Sequence, residues 1–140
     1  MSNANGSTPE DDAAFKQMLI ADPENKKCFE CGYPSAPWCD INHAVFVCLD
    51  CSGKHRGLGV HLSFVRSSTM DGWTNWKPEK LRQMQAGGNK KARLFFESKG
   101  VPKESVRERY NHDGALLYMD MLEATAAGKP FDPRTWKPPH

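Results

Sequence analysis

Apolar positions along the chain fall at helical spacing near both ends and in short alternating runs in the middle. Thr8-Pro9-Glu10-Asp11 reads as a helix start: a capping hydroxyl, proline at the first helical position, acids in the first turn. Phe15, Met18 and Leu19 follow at i, i+3 and i+4, and Asp22-Pro23 ends that helix. Over residues 25–51 the pattern predicts short extended pieces, the clearest being Val45-Phe46-Val47. A helix is expected over 52–61, weakened at its end by Gly57 and Gly59, and Ser63-Phe64-Val65-Arg66-Ser67 alternates like a strand with one buried face. Pro78 opens a further helix, with Leu81 and Met84 inward and Gly87-Gly88 closing it. Asn89 is placed to cap the next, whose Ala92, Phe95 and Phe96 face the core before Gly100 ends it. The last helix lies within 113–127, with Leu117, Met121 and Ala124 on one face and Gly128 as its stop.

Several helices and few short strands make an α+β, mostly helical domain. It is expected over residues 9–128, after a disordered N-terminus or tag at 1–8 and before a proline-rich extension at 129–140, from which Phe131 and Trp136 can dock onto the body. With 140 residues, 39% of them hydrophobic and 26% charged, the chain suits one soluble domain. Its longest apolar run, Ala44 to Leu49, is far short of the roughly 20 residues of a membrane-spanning helix. The start, MSNANGSTPEDD, lacks the basic and apolar regions of a signal peptide. Nineteen Lys+Arg against 17 Asp+Glu leave a net charge of +2. That is too balanced for a domain living on phosphate-backbone contacts, and charge alone would not hold it on a membrane.

Five cysteines without a secretion signal point to a reducing compartment, where closely spaced thiols bind metal or do redox work. Four of them form two pairs, Cys28-x2-Cys31 and Cys48-x2-Cys51, separated by 16 residues. A two-residue gap lets both thiolates of a pair converge on one ion, and two pairs complete a closed tetrahedral zinc site with no open position for water. Such a site is structural, and its excess negative charge calls for nearby cations, with Lys26, Lys27 and Lys54 as candidates. An iron site of rubredoxin type is the main alternative. A thioredoxin-like redox pair lacks the βαβ setting it needs. Cys39 stands outside the pattern as a partly buried small hydrophobe, and His43, His55, His61 and His112 are surface or satisfied core residues rather than ligands.

Immediately after Cys51 comes Ser52-Gly53-Lys54-His55-Arg56-Gly57-Leu58-Gly59. It fails the phosphate-loop pattern, which requires Gly where Cys48 stands and Ser or Thr where His55 stands. Arg56 lies five positions beyond the metal knot, followed by glycines that permit close approach by another surface. Its planar fork of donors matches phosphate oxygens. Taken alone, the position reads as that of a solvated helix residue or a local salt-bridge partner.

The string C-x2-C-x16-C-x2-C-x4-R, here Cys28, Cys31, Cys48, Cys51 and Arg56, resembles the signature of the Arf GTPase-activating proteins. The likeness continues through Gly57-Leu58-Gly59-Val60-His61-Leu62-Ser63-Phe64-Val65-Arg66-Ser67, Met70-Asp71, Trp73 and Gly87-Gly88-Asn89, with Trp38 seven residues after Cys31. It covers about residues 28–89 and is most similar to the Golgi-type branch. The resemblance implies a zinc finger packed on a small three-stranded sheet surrounded by helices. It further implies stimulation of GTP hydrolysis by an Arf-family small GTPase in its GTP-bound form, in vesicle trafficking. Arg56 would be the arginine finger supplied in trans, and Cys28, Cys31, Cys48 and Cys51 the ligands of structural Zn²⁺. Trp38 and Asp71 match positions associated with activity or partner contact, with core packing and local capping as their alternatives.

On this reading Mg²⁺ and GTP belong to the partner GTPase, and the chain is an activator rather than an enzyme. It is expected to be a cytoplasmic monomer, peripheral at Golgi membranes through regions this chain lacks, with no nucleic-acid partner. The rival classes are a GATA-like nucleic-acid-binding zinc module, which has one more residue between its cysteine pairs and a Lys- and Arg-rich helix and tail, and an inactive scaffold of the same fold. Arg56 argues against the scaffold.

Overall fold

A computed structural model describes residues 9–68 and 77–138. Six helices surround a three-stranded antiparallel sheet among the described residues. In chain order these are α1 (Pro9–Ala21), β1 (Trp38–Asp40), β2 (Val45–Val47), α2 (Leu49–Arg56), β3 (Val65–Ser67), α3 (Pro78–Ala86), α4 (Asn89–Ser98), α5 (Val106–Asn111) and α6 (Asp113–Ala126). A 3-10 turn, Pro23–Lys26, follows α1. The helix start expected at Thr8 lies outside the described residues, and so do Met70, Asp71 and Trp73.

The sheet order is β2-β1-β3, with Trp38 opposite Val47 on one side and Ser67 on the other. Its strands are short because each is bounded by a turn or by the metal knot. All three residues of β2 are buried, as a strand covered on both faces requires. Phe15 of α1 meets Phe46 edge-to-face with ring centroids 6.1 Å apart. Helix α6 packs against α3, α4 and α5, and residues 114–118 are buried without interruption, so α6 is a core helix rather than a surface one. Beyond it the chain returns to the body: the Trp136 indole N–H donates to Asp120 Oδ2 at 2.7 Å.

Three local expectations change. The helix expected over 52–61 begins earlier, at Leu49 with Cys48 as its cap, and ends at Arg56, where Gly57 takes the cap position. The strand expected over 63–67 is confined to Val65–Ser67, because Ser63 is drawn inward to a histidine. Asn89 does not cap α4 with its side chain; Gly88 holds the cap position and the Asn89 amide reaches across the molecule instead.

That amide is a buried tie. Asn89 Oδ1 accepts from the Phe46 N–H at 2.7 Å, and Nδ2 donates to the carbonyls of Lys27 at 2.8 Å and Glu24 at 3.0 Å. The Asn89 N–H donates to Asn25 Oδ1 at 2.7 Å. Lys27 immediately precedes the first metal-site cysteine and Phe46 lies two residues before the third, so one side chain sets the approach of both cysteine pairs. The two glycines before it make this reach possible. A Cβ on Gly87 would stand 2.4 Å from the Cβ of Ala44, and Gly88, at φ +119, has backbone geometry that an L side chain strains to adopt.

Candidate functional site

The first cysteine pair sits on a tight knuckle. The Cys28 N–H donates to the Tyr33 carbonyl at 2.8 Å and the Gly32 N–H to the Cys28 carbonyl at 2.9 Å. The second pair straddles the junction of β2 and α2. Cys48 caps the helix, its Sγ accepting from the Cys51 N–H at 3.5 Å, and Cys51 lies on the first turn. The four Sγ atoms lie within 4.8 Å of one another, with those of Cys31 and Cys48 3.7 Å apart. A tetrahedron with metal–sulfur bonds of about 2.3 Å has edges of about 3.8 Å, so the donor set fits a thiolate-bound ion. Cys28, Cys48 and Cys51 are buried and Cys31 is exposed. Cys39 is fully rather than partly buried, and burial pushes its thiol well above the usual range, which leaves it inert.

Arg56 ends α2, exposed, with its guanidinium carbon 4.6 Å from the centroid of the Trp38 ring. Among the described residues it has no ion pair or hydrogen bond from that guanidinium. Trp38, half-buried on β1, gives the cation a flat surface within cation–π distance. The structure therefore brings Arg56, Trp38 and the four cysteines into one neighbourhood, joined by a single eight-residue helix. Asp71, the remaining expected site residue, lies outside the described residues.

Under this surface lies a charged cluster that the sequence pattern does not announce. His43 and His55 are both fully buried. His43 Nδ1 lies 2.8 Å from Asp40 Oδ2. His55 Nε2 lies 2.8 Å from Glu30 Oε2, and its Nδ1 lies 2.9 Å from Ser63 Oγ and 3.3 Å from Asp40 Oδ2. Glu30, on the knuckle between Cys28 and Cys31, also accepts from Arg109 Nη1 at 2.9 Å and from the Tyr110 hydroxyl. Arg109 is itself sandwiched, 4.4 Å from the Phe29 centroid and 5.2 Å from that of Phe96.

Burial opposes charge on His55, but its hydrogen bonds to Asp40 and Glu30 and their fields overcome this and push it up to about 9. Asp40 is held well below the usual carboxylate range: burial works against it, and His43 and His55 outweigh the burial. Two carboxylates, Glu30 and Asp40, thus face two cations, His55 and Arg109, in a balanced buried set. The one signal of it in the sequence is Ser105-x-x-Glu108, a capping box announcing α5, which carries Arg109 and Tyr110; Ser105 Oγ accepts from the Glu108 N–H at 3.4 Å.

A four-cysteine knot, a three-stranded sheet packed on helices and an exposed arginine at the end of the helix that leaves the knot define a class. The family model ArfGap, described as "Putative GTPase activating protein for Arf", matches residues 13–125, and the chain belongs to that family. It is 44% identical over 114 residues to ADP-ribosylation factor GTPase-activating protein 3 of Mus musculus, covering 81% of this chain and 21% of the relative. It is 40% identical over 111 residues to ADP-ribosylation factor GTPase-activating protein GCS1 of Saccharomyces cerevisiae, covering 79% of this chain and 31% of the relative. The chain thus spans between a fifth and a third of these relatives. The crystal structure of a "putative GTPase activating protein for ADP ribosylation factor from Cryptosporidium parvum" superposes with a TM-score of 0.72 at 33% identity, covering 90% of this chain and 99% of that one.

Proposed function

We propose that this chain is a GTPase-activating domain for an Arf-type small GTPase, lending Arg56 in trans to the GTP-bound partner. The observation that carries the reading is the Arg56 guanidinium. It is exposed and without a hydrogen-bonded or ionic partner among the described residues, at the end of a helix whose cap is a metal-site cysteine. Arginines that serve this fold are held by oxygen acceptors: Arg93 by Glu24, Arg109 by Glu30 and Arg82 by the Ala126 carbonyl. The names of the mouse and yeast relatives supply the partner class.

During transfer of the γ-phosphoryl group to water, negative charge builds on the transferred group and the bridging oxygen. The partner provides Mg²⁺, its phosphate loop and a residue that orients the water. Arg56 adds a fixed cation with a bidentate fork where that charge develops, a contribution of about 10³–10⁵ in rate, or roughly 4–7 kcal/mol of barrier. Trp38 keeps the guanidinium from collapsing onto its own helix before docking. The exposed Val60 and Phe64, on the segment that follows Arg56, offer apolar surface for the partner to cover.

The metal is zinc, held by Cys28, Cys31, Cys48 and Cys51, the set of four sulfurs that suits it best. When bound it fixes backbone and takes no part in the chemistry. Asp71 keeps its assignment to partner contact on the strength of the family resemblance. The domain acts as a monomer in the cytoplasm, reaches Golgi membranes through segments outside this chain, and is an activator rather than an enzyme in its own right. No described helix is long and apolar enough to cross a membrane.

The test is single-turnover GTP hydrolysis by a panel of small GTPases, each with and without the domain. Stimulation confined to Arf-type partners and lost in Arg56→Lys, with the zinc content unchanged, is the expected result. Lysine keeps the charge but loses the fork. Near-normal stimulation by Arg56→Lys would remove the finger assignment.

A further inference from the structure

We propose that His55 is the positioning residue of the arginine finger: its buried contacts with Asp40 and Ser63 lock α2 against β1 in the one register that sets Arg56 over Trp38. This rests on the reading of Arg56 as the finger and adds to it the residue that aims that side chain.

Successive side chains of a strand alternate in direction, so Trp38 and Asp40 leave β1 on the same face, and that face meets α2. Neighbouring residues at the end of α2 then make two rungs to it. His55 meets Asp40, with Nδ1 3.3 Å from Oδ2, and Arg56 meets Trp38 at 4.6 Å. The first rung is wholly buried and the second is at the surface.

Helix α2 cannot hold this register unaided. It has eight residues, LDCSGKHR, with a glycine inside and Gly57 as its cap, well below the length at which an isolated helix persists. Its first turn is tied to the metal knot through Cys48 and Cys51. Its last turn has His55 as its one buried side chain. That imidazole has a partner on both nitrogens, Glu30 from the knuckle on Nε2 and Ser63 from the segment entering β3 on Nδ1. Ser63 is also where the post-finger loop is closed, since its N–H donates to the Gly59 carbonyl at 2.9 Å. The loop is further pinned by Asn42 Nδ2 donating to the Val60 carbonyl at 3.1 Å. His55 therefore joins strand, knuckle and loop immediately before the residue that must be aimed.

The experiment compares zinc-saturated wild type, His55→Gln and Ser63→Ala. It reads kcat and KM for stimulated hydrolysis by a GTP-loaded Arf-type GTPase, zinc per chain, and the NMR resonances of the Arg56 side chain, which the Trp38 ring current shifts. For His55→Gln with one zinc per chain, kcat falls about 10–100-fold while KM stays within about twofold, as expected for a misaimed group. The Arg56 resonances move toward unstructured positions. Ser63→Ala, which strands no charge, gives a smaller loss of the same kind. Full kcat in a zinc-loaded His55→Gln, or a loss confined to KM with Arg56 resonances unmoved, would overturn the proposal. Should His55→Gln fail to fold, wild-type Arg56 resonances in Ser63→Ala would overturn it equally. An Arg56→Ala that still stimulates would instead sink the finger reading, while the NMR shifts would still report whether His55 aims that side chain.

Discussion

The Arg56 guanidinium rests 4.6 Å from the centroid of the Trp38 ring, and no carboxylate among the described residues competes for it. The contact stores the cation on a surface that gives it up cheaply, since an exposed cation–π pair is worth about 0.5–1 kcal/mol. A carboxylate partner would hold the charge more tightly and would have to be displaced on docking. Trp38→Phe should retain most of the stimulation, because a smaller ring still offers a face. Trp38→Ala should lose about two- to fivefold in kcat/KM, which single-turnover hydrolysis reads directly. Both variants should keep the wild-type far-ultraviolet circular dichroism, since Trp38 is only half-buried.

Metal removal should unfold the domain rather than merely silence it. The Cys28–Tyr33 knuckle and the start of α2 converge on the four sulfurs, so binding energy for the ion is folding energy there. Cys31→Ser should lose bound zinc and the cooperative thermal transition, even though Cys31 is the exposed member of the set. Cys39→Ser should keep one zinc per chain and lower stability by about 1–3 kcal/mol, the cost of an extra hydroxyl in a dry site. Zinc stoichiometry and calorimetry distinguish the two.

Asn89→Ala should be among the most damaging changes remote from the finger. It strands the buried Phe46 N–H and the Lys27 carbonyl, at about 1–3 kcal/mol for each group left unpaired, while the Glu24 carbonyl keeps the Lys27 N–H. A loss of about 3 kcal/mol or more in denaturant unfolding is expected, with weaker zinc retention because both cysteine pairs hang from these segments. Ala at Gly87 should act through the same region, since its Cβ would meet Ala44.

The contribution of His55 to stability should fall as pH rises above neutrality. His55 is raised from 6.5 to about 9 in the folded protein, so its contribution is fully present below about 6.5 and is lost as pH climbs to 9. The shift corresponds to about 3 kcal/mol. Asp40, held low in the fold, contributes in the opposite window and loses its part only on strong acidification. At saturating zinc, the gap in urea midpoint between the wild type and His55→Gln should narrow as pH climbs from 6.5 to 9.

The parts of this domain visible in the sequence are those whose signal is local. Two Cys-x2-Cys pairs announce a metal knot without help from the fold, and Phe15-Met18-Leu19 announces α1 by period alone. Arg56 is legible as a candidate finger only through the family resemblance of the string that holds it. Two kinds of information are hidden. His55 and His43 read as surface or quiet core histidines because their partners Glu30 and Asp40 stand 25 and 3 residues away, and only the fold shows that both are dry. Asn89 resembles a helix cap, since Asn after two glycines is what a cap looks like; its partners lie 43 to 65 residues distant. Long-range polar pairing has no period, and so leaves no trace in a hydropathy pattern.

Glu30 carries a consequence for how the chain comes into being. It stands between two of the sulfurs near the beginning, yet its partner Arg109 is 79 positions further on. During synthesis the knuckle can leave the ribosome and even capture its ion while that carboxylate still waits for a counter-charge. Nearly the entire domain must emerge before the interior charges balance, so the metal-bound nascent chain should stay open to proteases until α5 has been made.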